Sequence, residues 1–339
     1  MENIEDTTWK SFNKNLIKYL FKTNALKTAK IAEAFSNIKR HEYLHDLPNI
    51  AMAYENKALS LTLSPEDNKN TITWSTQPNI TSLTLESAKI EREQKILEIG
   101  TGTGYQAALI SEIVGKNSQV VTIDCNKKII NRASAIYKNN NIKNITCELG
   151  DGWKGSKNNK KFNRIIVTAA TNEISPFWIE QLLDNGLLIL PLQYSKSNLL
   201  TSMLKITKNQ KKYSIEIIPS LEVVGFMPLI TAEVKFESDV NDKKLHFQKK
   251  LLWNYLIRVA FDENKNSTIL PYLIIESHSL QQNRSNGNKL IQEILNKCLE
   301  YGKIGKLKLE MLKHKSKNQN AFKWKFNKKY YDIVGYIEK

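Results

Sequence analysis

The stretch Ile96-Leu97-Glu98-Ile99-Gly100-Thr101-Gly102-Thr103-Gly104-Tyr105 decides the fold. Three apolar residues around one acid read as a short buried strand, the alternating glycines as a tight loop, and Gln106-Ala107-Ala108-Leu109-Ile110 as the opening of a helix. Glycine lets the chain turn sharply and brings bare backbone against a flat ligand. A turn of this kind after the first strand of an α/β sheet is where nucleotides bind.

The dinucleotide fingerprint asks for glycines at its first, third and sixth places. Gly100 and Gly102 satisfy two of these, but Tyr105 holds the sixth and the extra glycine is Gly104. An acid, Glu98, ahead of alternating glycines resembles instead the Rossmann-like S-adenosylmethionine-dependent methyltransferases.

Working outward from the loop, strands are expected at 120–124, 144–148, 162–168 and 186–191, with helices at 127–138 and 173–184, and a closing hairpin at 199–206 and 213–218. Alternating strands and helices imply an α/β, doubly wound, mostly parallel sheet. Asp124 ends the second strand about twenty residues beyond the loop, where an acid accepts hydrogen bonds from ribose hydroxyls. Gly150-Asp151-Gly152 after the third strand can set a carboxylate near an adenine amino group. Upstream, helical spacing appears at 8–21 and 27–35, and Thr73-Trp74-Ser75-Thr76-Gln77-Pro78 is expected to form a turn with exposed hydroxyl donors before a helix at 80–89.

Composition bounds the rest. A chain of 339 residues with 41% hydrophobic residues can bury a substantial core as one large or two moderate domains. A net charge of +16 permits acidic partners but specifies none, and no nucleic-acid motif accompanies it. Cys125, Cys147 and Cys298 are too far apart for a metal motif and suit a reducing cytoplasm. His41-Glu42-Tyr43-Leu44-His45 matches a zinc-protease pattern in form, but Pro48 cuts the segment short and no metal is expected. The acidic start, 1–6, is no secretory signal, and no run is long enough to cross a membrane, so a cytoplasmic protein is expected.

Seven motifs in order give a more specific resemblance: Ile38-Lys39-Arg40-His41, Ala53-Tyr54-Glu55, Thr76-Gln77-Pro78, the glycine loop through Ala108, Gly150 to Gly155, Phe162 to Ala170, and Val224-Gly225-Phe226-Met227-Pro228-Leu229. Together they resemble the protein-L-isoaspartate O-methyltransferase family over about residues 25–230. The resemblance implies S-adenosylmethionine as cofactor and a peptide carboxylate as acceptor. It implies that Glu98, Gly100, Thr101, Gly102 and Gly104 surround the methionine part of the cofactor, that Asp124 meets the ribose, and that Gly150, Asp151 and Gly152 meet the adenine. Thr76, with Ser75 beside it, falls where the family's hydroxyl meets the acceptor carboxylate. Gln77, Pro78, Ala169, Ala170, Val224 and Phe226 would contact the peptide.

Two departures stand out. The lead-in Lys69-Asn70-Thr71-Ile72-Thr73-Trp74 lacks the glycines of typical repair enzymes, and the chain continues for over a hundred residues past Leu229. Both resemble the biosynthetic branch that modifies ribosomally made peptides such as lanthipeptides and graspetides. That branch esterifies an ordinary aspartate of a modified precursor peptide, and the ester closes to aspartimide, which opens to isoaspartate. The reading is therefore a precursor-peptide aspartate methyltransferase, with isoaspartate repair in damaged proteins as the alternative and a non-catalytic peptide-binding subunit as the rival of another class. Residues 1–232 form the methyltransferase domain in this reading. Residues 233–339 form a basic α+β domain for peptide recognition, with strand 272–277 and packed segments 251–257 and 290–299.

Overall fold

The computed structural model describes residues 4–44, 47–62, 73–158, 160–171, 173–193, 200–210, 212–221, 224–230, 306–313, 324–327 and 331–338. These group into two units. The first comprises 1–169, 177–189 and 229–231, and the second 170–176, 190–228 and 232–339.

The first unit opens with α1 (Ile4–Lys22), which buries Trp9, Leu16 and Leu20 at helical spacing. Its Asn13 Nδ2 donates to the Phe35 carbonyl of α2 (Ala29–Asn37) at 2.8 Å, fixing the two helices together. A 3-10 turn (Arg40–Tyr43) follows, then another (Ile50–Tyr54). Strand β1 (Leu59–Leu61) pairs antiparallel with β2 (Thr73–Ser75), and α3 (Pro78–Ala88) starts three residues later. The expected exposed hydroxyl turn is thus corrected: Thr73 and Ser75 lie on a strand and point inward, at 8% and 2% exposure, and Trp74 between them is exposed, as strand alternation requires.

The elements that follow are β3 (Ile96–Ile99), α4 (Tyr105–Val114), β4 (Val120–Asp124), α5 (Lys127–Asn139), β5 (Ile145–Leu149), β6 (Phe162–Val167), α6 (Pro176–Gln181) and β7 (Leu182–Leu192), with Pro176 and 190–192 counted in the second unit. The strands order as β7-β6-β3-β4-β5, all parallel. All four residues of β3 and the first four of β4 are buried, which is why both read as nearly continuous apolar runs. The chain leaves β3 toward β4 and β5, then returns to β3's other side as β6. The crevice opened by that reversal lies at the carboxyl ends of β3 and β6. The helix expected at 173–184 is shorter than its sequence suggested. Leu182 pairs with Phe162 and starts β7, and a register shift follows, with Asn185 at φ 59° before Arg164 meets Leu187.

In the second unit, β8 (Leu200–Asn209) and β9 (Lys212–Ile217) form the expected hairpin, and β10 (Val224–Gly225) pairs with β8. β11 (Lys306–Lys313) pairs with β9 and with β13 (Tyr331–Glu338), which also pairs with β12 (Trp324–Asn327), every pairing antiparallel. The segments 251–257, 272–277 and 290–299 lie outside the described residues.

Candidate active site

The loop after β3 is held open by backbone that other residues adopt only under strain. Gly100, Gly102 and Gly104 have φ values of 97°, 53° and 85°. Two hydrogen bonds, from Gly100 N and Thr101 N to the Ile123 carbonyl at 2.8 and 3.1 Å, hang the loop on β4. A side chain at Gly100 would run into Thr168 Oγ1, which lies 2.9 and 2.8 Å from the Ile99 and Gly100 carbonyls and donates between them. One at Gly104 would meet Tyr137 Oη at 2.7 Å, where that hydroxyl donates to the Gly104 carbonyl at 2.9 Å.

Beneath the loop, Glu98 is 1% exposed. Thr122 donates to its Oε2 at 2.6 Å and Gln106 Nε2 to its Oε1 at 3.2 Å. The hydroxyls of Thr101 and Thr122 lie 2.8 Å apart in a further hydrogen bond that either can donate. Burial pushes the Glu98 carboxyl up to about 8, the two hydrogen bonds oppose the rise, and nearby Asp124 adds to it.

At the tip of β4, Asp124 Oδ2 accepts from Gly102 N at 3.2 Å and Oδ1 from Asn126 N at 3.0 Å. Burial raises this carboxyl while the backbone donors pull it down. Its own carbonyl accepts from Gly150 N at 3.0 Å, so the loops after β3, β4 and β5 meet here. Asp151 Oδ1 accepts from Trp153 N at 2.9 Å and caps the 3-10 turn Gly152–Lys154. Gly152 has no room for a side chain, since its Cβ would stand 2.6 Å from Ile99 Cγ2, and Trp178 Nε1 pins its carbonyl at 2.8 Å.

The hydroxyl segment lies against the same loop: a Cβ on Gly102 would be 3.3 Å from Thr73 Oγ1 and 3.8 Å from the Trp74 carbonyl. Arg40, fully buried, binds this segment from behind. Its Nη1 donates to the Ala53 and Glu55 carbonyls at 2.8 and 3.3 Å. Its Nη2 donates to the Lys57 carbonyl, Ser75 Oγ and the Thr76 carbonyl at 3.1, 3.1 and 3.2 Å. Burial lowers the guanidinium to about 10, which leaves it charged at neutral pH. Thr76 Oγ1 and Gln77 N–H make no hydrogen bond among the described residues, and Pro78 begins α3 without a donor. His41 Nδ1 lies 2.6 Å from Tyr54 Oη, and His45 lies outside the described residues.

Of the other candidates, Ala169 follows Thr168 in the first unit. Ala170, Val224 and Phe226 belong to the second, where Ala170 N donates to the Met227 carbonyl at 2.7 Å and Val224 pairs with Thr201. Sequence reasoning missed Thr122, Gln106 and Thr168. The first two left a trace, a polar residue inside the apolar run 120–123 and at the start of an apolar helix.

The cradle of bare, left-handed backbone beside the β4-tip acid suits a nucleoside with a small charged tail. With this strand order it defines an S-adenosylmethionine-dependent methyltransferase.

Residues 10–234 match the family described as protein-L-isoaspartate(D-aspartate) O-methyltransferase. A protein-L-isoaspartate O-methyltransferase of Shewanella woodyi is 32% identical over 220 residues, covering 65% of this chain and 95% of the relative. That of Shewanella denitrificans is 34% identical with the same coverage. Among solved structures, a protein-L-isoaspartate O-methyltransferase superposes with a TM-score of 0.59 at 26% identity, covering 65% of this chain and 66% of that one. A Plasmodium falciparum chain assigned to the same enzyme type, in complex with S-adenosyl-L-homocysteine, shares the fold at 17% identity and a TM-score of 0.53, covering 64% and 98%. The chain belongs to the protein-L-isoaspartate(D-aspartate) O-methyltransferase family and is a carboxyl O-methyltransferase that uses S-adenosylmethionine.

Proposed function

We propose that this enzyme esterifies the free carboxylate of isoaspartyl residues in peptides and proteins. The observation that carries the reading is the pair Thr76 Oγ1 and Gln77 N–H, unengaged among the described residues, on a segment packed against the Gly102 loop. Two donors side by side suit one carboxylate oxygen and leave the other free to react. In this reading Gly100, Thr101, Gly102 and Gly104, with Glu98 beneath them, hold the methionine part of the cofactor. Asp124 holds the ribose hydroxyls, and Gly150, Asp151 and Gly152 the adenine. Ser75, Thr76 and Gln77 hold the acceptor, and Pro78 and Ala169 contact the peptide around it.

The cofactor supplies an electrophilic methyl group on a sulfonium. A carboxylate would take that group directly, so no residue of this chain would have a proton to hold or move. The acceptor is ionised at neutral pH, so this chain needs no general base. Its residues orient the carboxylate in line and exclude competing water.

A second reading, an ordinary aspartate in a modified precursor peptide followed by aspartimide formation, draws support from the glycine-free lead-in at 69–74 and from the chain beyond residue 234. In both readings residues 233–339, where lysine and arginine outnumber the acids, serve as a basic recognition domain, and the protein works in the cytoplasm. No helix among the described residues is long and apolar enough to cross a membrane. Mass spectrometry after incubation with S-adenosylmethionine tests the choice. Rapid gain of one methyl group on a short isoaspartyl peptide, and none on its aspartyl twin, is expected. Methylation confined to a constrained precursor peptide, followed by loss of methanol, would overturn the first reading in favour of the second.

A further inference from the structure

We propose that Arg40 is a positioning residue for methyl transfer, fixing the Thr76–Gln77 peptide unit so that its N–H and the Thr76 hydroxyl face the acceptor carboxylate. The inference rests on the assignment of Ser75, Thr76 and Gln77 to that carboxylate.

Arg40 is an unusual residue to bury. It is fully enclosed, and none of the ion pairs among the described residues involves it. Its Nε has no hydrogen-bond partner among the described residues. A buried guanidinium without a carboxylate is costly, and a side chain retained only for packing would avoid that cost. What the guanidinium does instead is gather three backbone segments: the 3-10 turn ending at Tyr54, through the Ala53 and Glu55 carbonyls; the approach to β1, through Lys57; and the end of β2, through Ser75 Oγ and the Thr76 carbonyl. Its planar fork reaches several acceptors in fixed directions, which an ammonium cannot reproduce.

The consequence follows from peptide geometry. In a trans peptide unit the carbonyl and the next N–H point in opposite directions, and the chain contains no cis bond among the described residues. By binding the Thr76 carbonyl, Arg40 turns the Gln77 N–H away from itself. That N–H and Thr76 Oγ1 make no hydrogen bond among the described residues. Ser75 Oγ accepts from Arg40 Nη2, so its own proton is also directed elsewhere.

The test uses the full chain with Arg40→Lys and Arg40→Gln, an isoaspartyl peptide as acceptor, calorimetric binding of S-adenosylhomocysteine, and the amide resonance of Gln77. KM for the peptide is expected to rise tenfold or more in both variants while the S-adenosylhomocysteine Kd changes less than twofold and the Gln77 amide shifts. KM within twofold of wild type, or KM and Kd rising together, would overturn the proposal, the latter by showing a general loss of packing. Arg40→Gln brings no unpaired charge into the interior and carries the test if Arg40→Lys does not fold. If the wild type methylates no isoaspartyl peptide, the substrate reading falls. The Gln77 resonance then still judges Arg40, since an unchanged signal in a folded variant refutes the positioning role.

Discussion

Replacing Gly104 with alanine should be among the most damaging single-methyl additions this domain can receive. At φ 85° an L-residue pays a left-handed strain of about 1–2 kcal/mol. The new Cβ would also stand 2.7 Å from Tyr137 Oη, which must move and so abandon its buried bond to the Gly104 carbonyl. An orphaned buried carbonyl adds about 1–3 kcal/mol. The total, roughly 2–5 kcal/mol, is a large part of the stability of an ordinary domain. Urea denaturation of four proteins (wild type, Gly104→Ala, Tyr137→Phe and the double variant) separates the two terms. Without the Tyr137 hydroxyl the nearest atoms are Tyr137 Cζ at 3.2 Å and Ala133 Cβ at 3.3 Å, which need to give by only a few tenths of an ångström. The cost of Gly104→Ala should then fall to about 1–2 kcal/mol, the strain alone. An equal cost in both backgrounds would refute the steric argument, and a cost below about 1 kcal/mol in the wild type would refute the strain argument too.

Thr76→Ala should lower peptide turnover at least tenfold while leaving S-adenosylhomocysteine affinity within twofold, and equal losses in both would remove Thr76 from the acceptor site. Glu98 keeps its proton in the folded protein up to about 8 against 4.5 in the unfolded chain, so its contribution to stability is complete below about 4.5 and is lost as pH climbs through about 8. Glu98→Gln should flatten that fall in urea melts at pH 5, 6.5 and 8, and an unchanged slope would assign the pH dependence to other groups. Glu86 Oε1 accepts from Lys27 N, Thr28 N and Thr28 Oγ1 at 2.7, 2.8 and 3.2 Å and so caps α2 from another helix. Glu86→Ala should cost about 1–3 kcal/mol and speed amide exchange at Lys27 and Thr28, and exchange left at the wild-type rate would show that water replaces the cap.

What was legible in the sequence was whatever depended on local pattern. β3 and β4 declared themselves because strands buried on both faces read as apolar runs, and the glycine loop because left-handed backbone selects glycine. β2 did not, since its partner is β1, twelve and more residues away beyond a polar segment, and hydroxyls ahead of a proline read as a turn. The end of α6 is not legible because Leu182 fits a helix face as well as a strand, and only its pairing with Phe162 decides. Arg40's engagement was invisible for another reason: four of its five acceptors are backbone carbonyls, which carry no residue identity. Glu86 as a cap for a helix 58 positions earlier is equally non-local.

The place of β3 at the centre of the parallel sheet has a consequence for how the protein is made. On a ribosome β3 emerges before β4 and β5, and can pair on that side, but its other edge waits for β6, whose Val167 partners Ile99 almost seventy positions later. At synthesis rates of about 5–20 residues per second the wait is on the order of 3–15 s. Throughout that interval an apolar strand offers unpaired amides and carbonyls to any neighbouring chain. The nascent protein should therefore depend on chaperone cover during that window, and slowing translation between residues 100 and 167 should increase aggregation, whereas a slowdown after residue 192 should not.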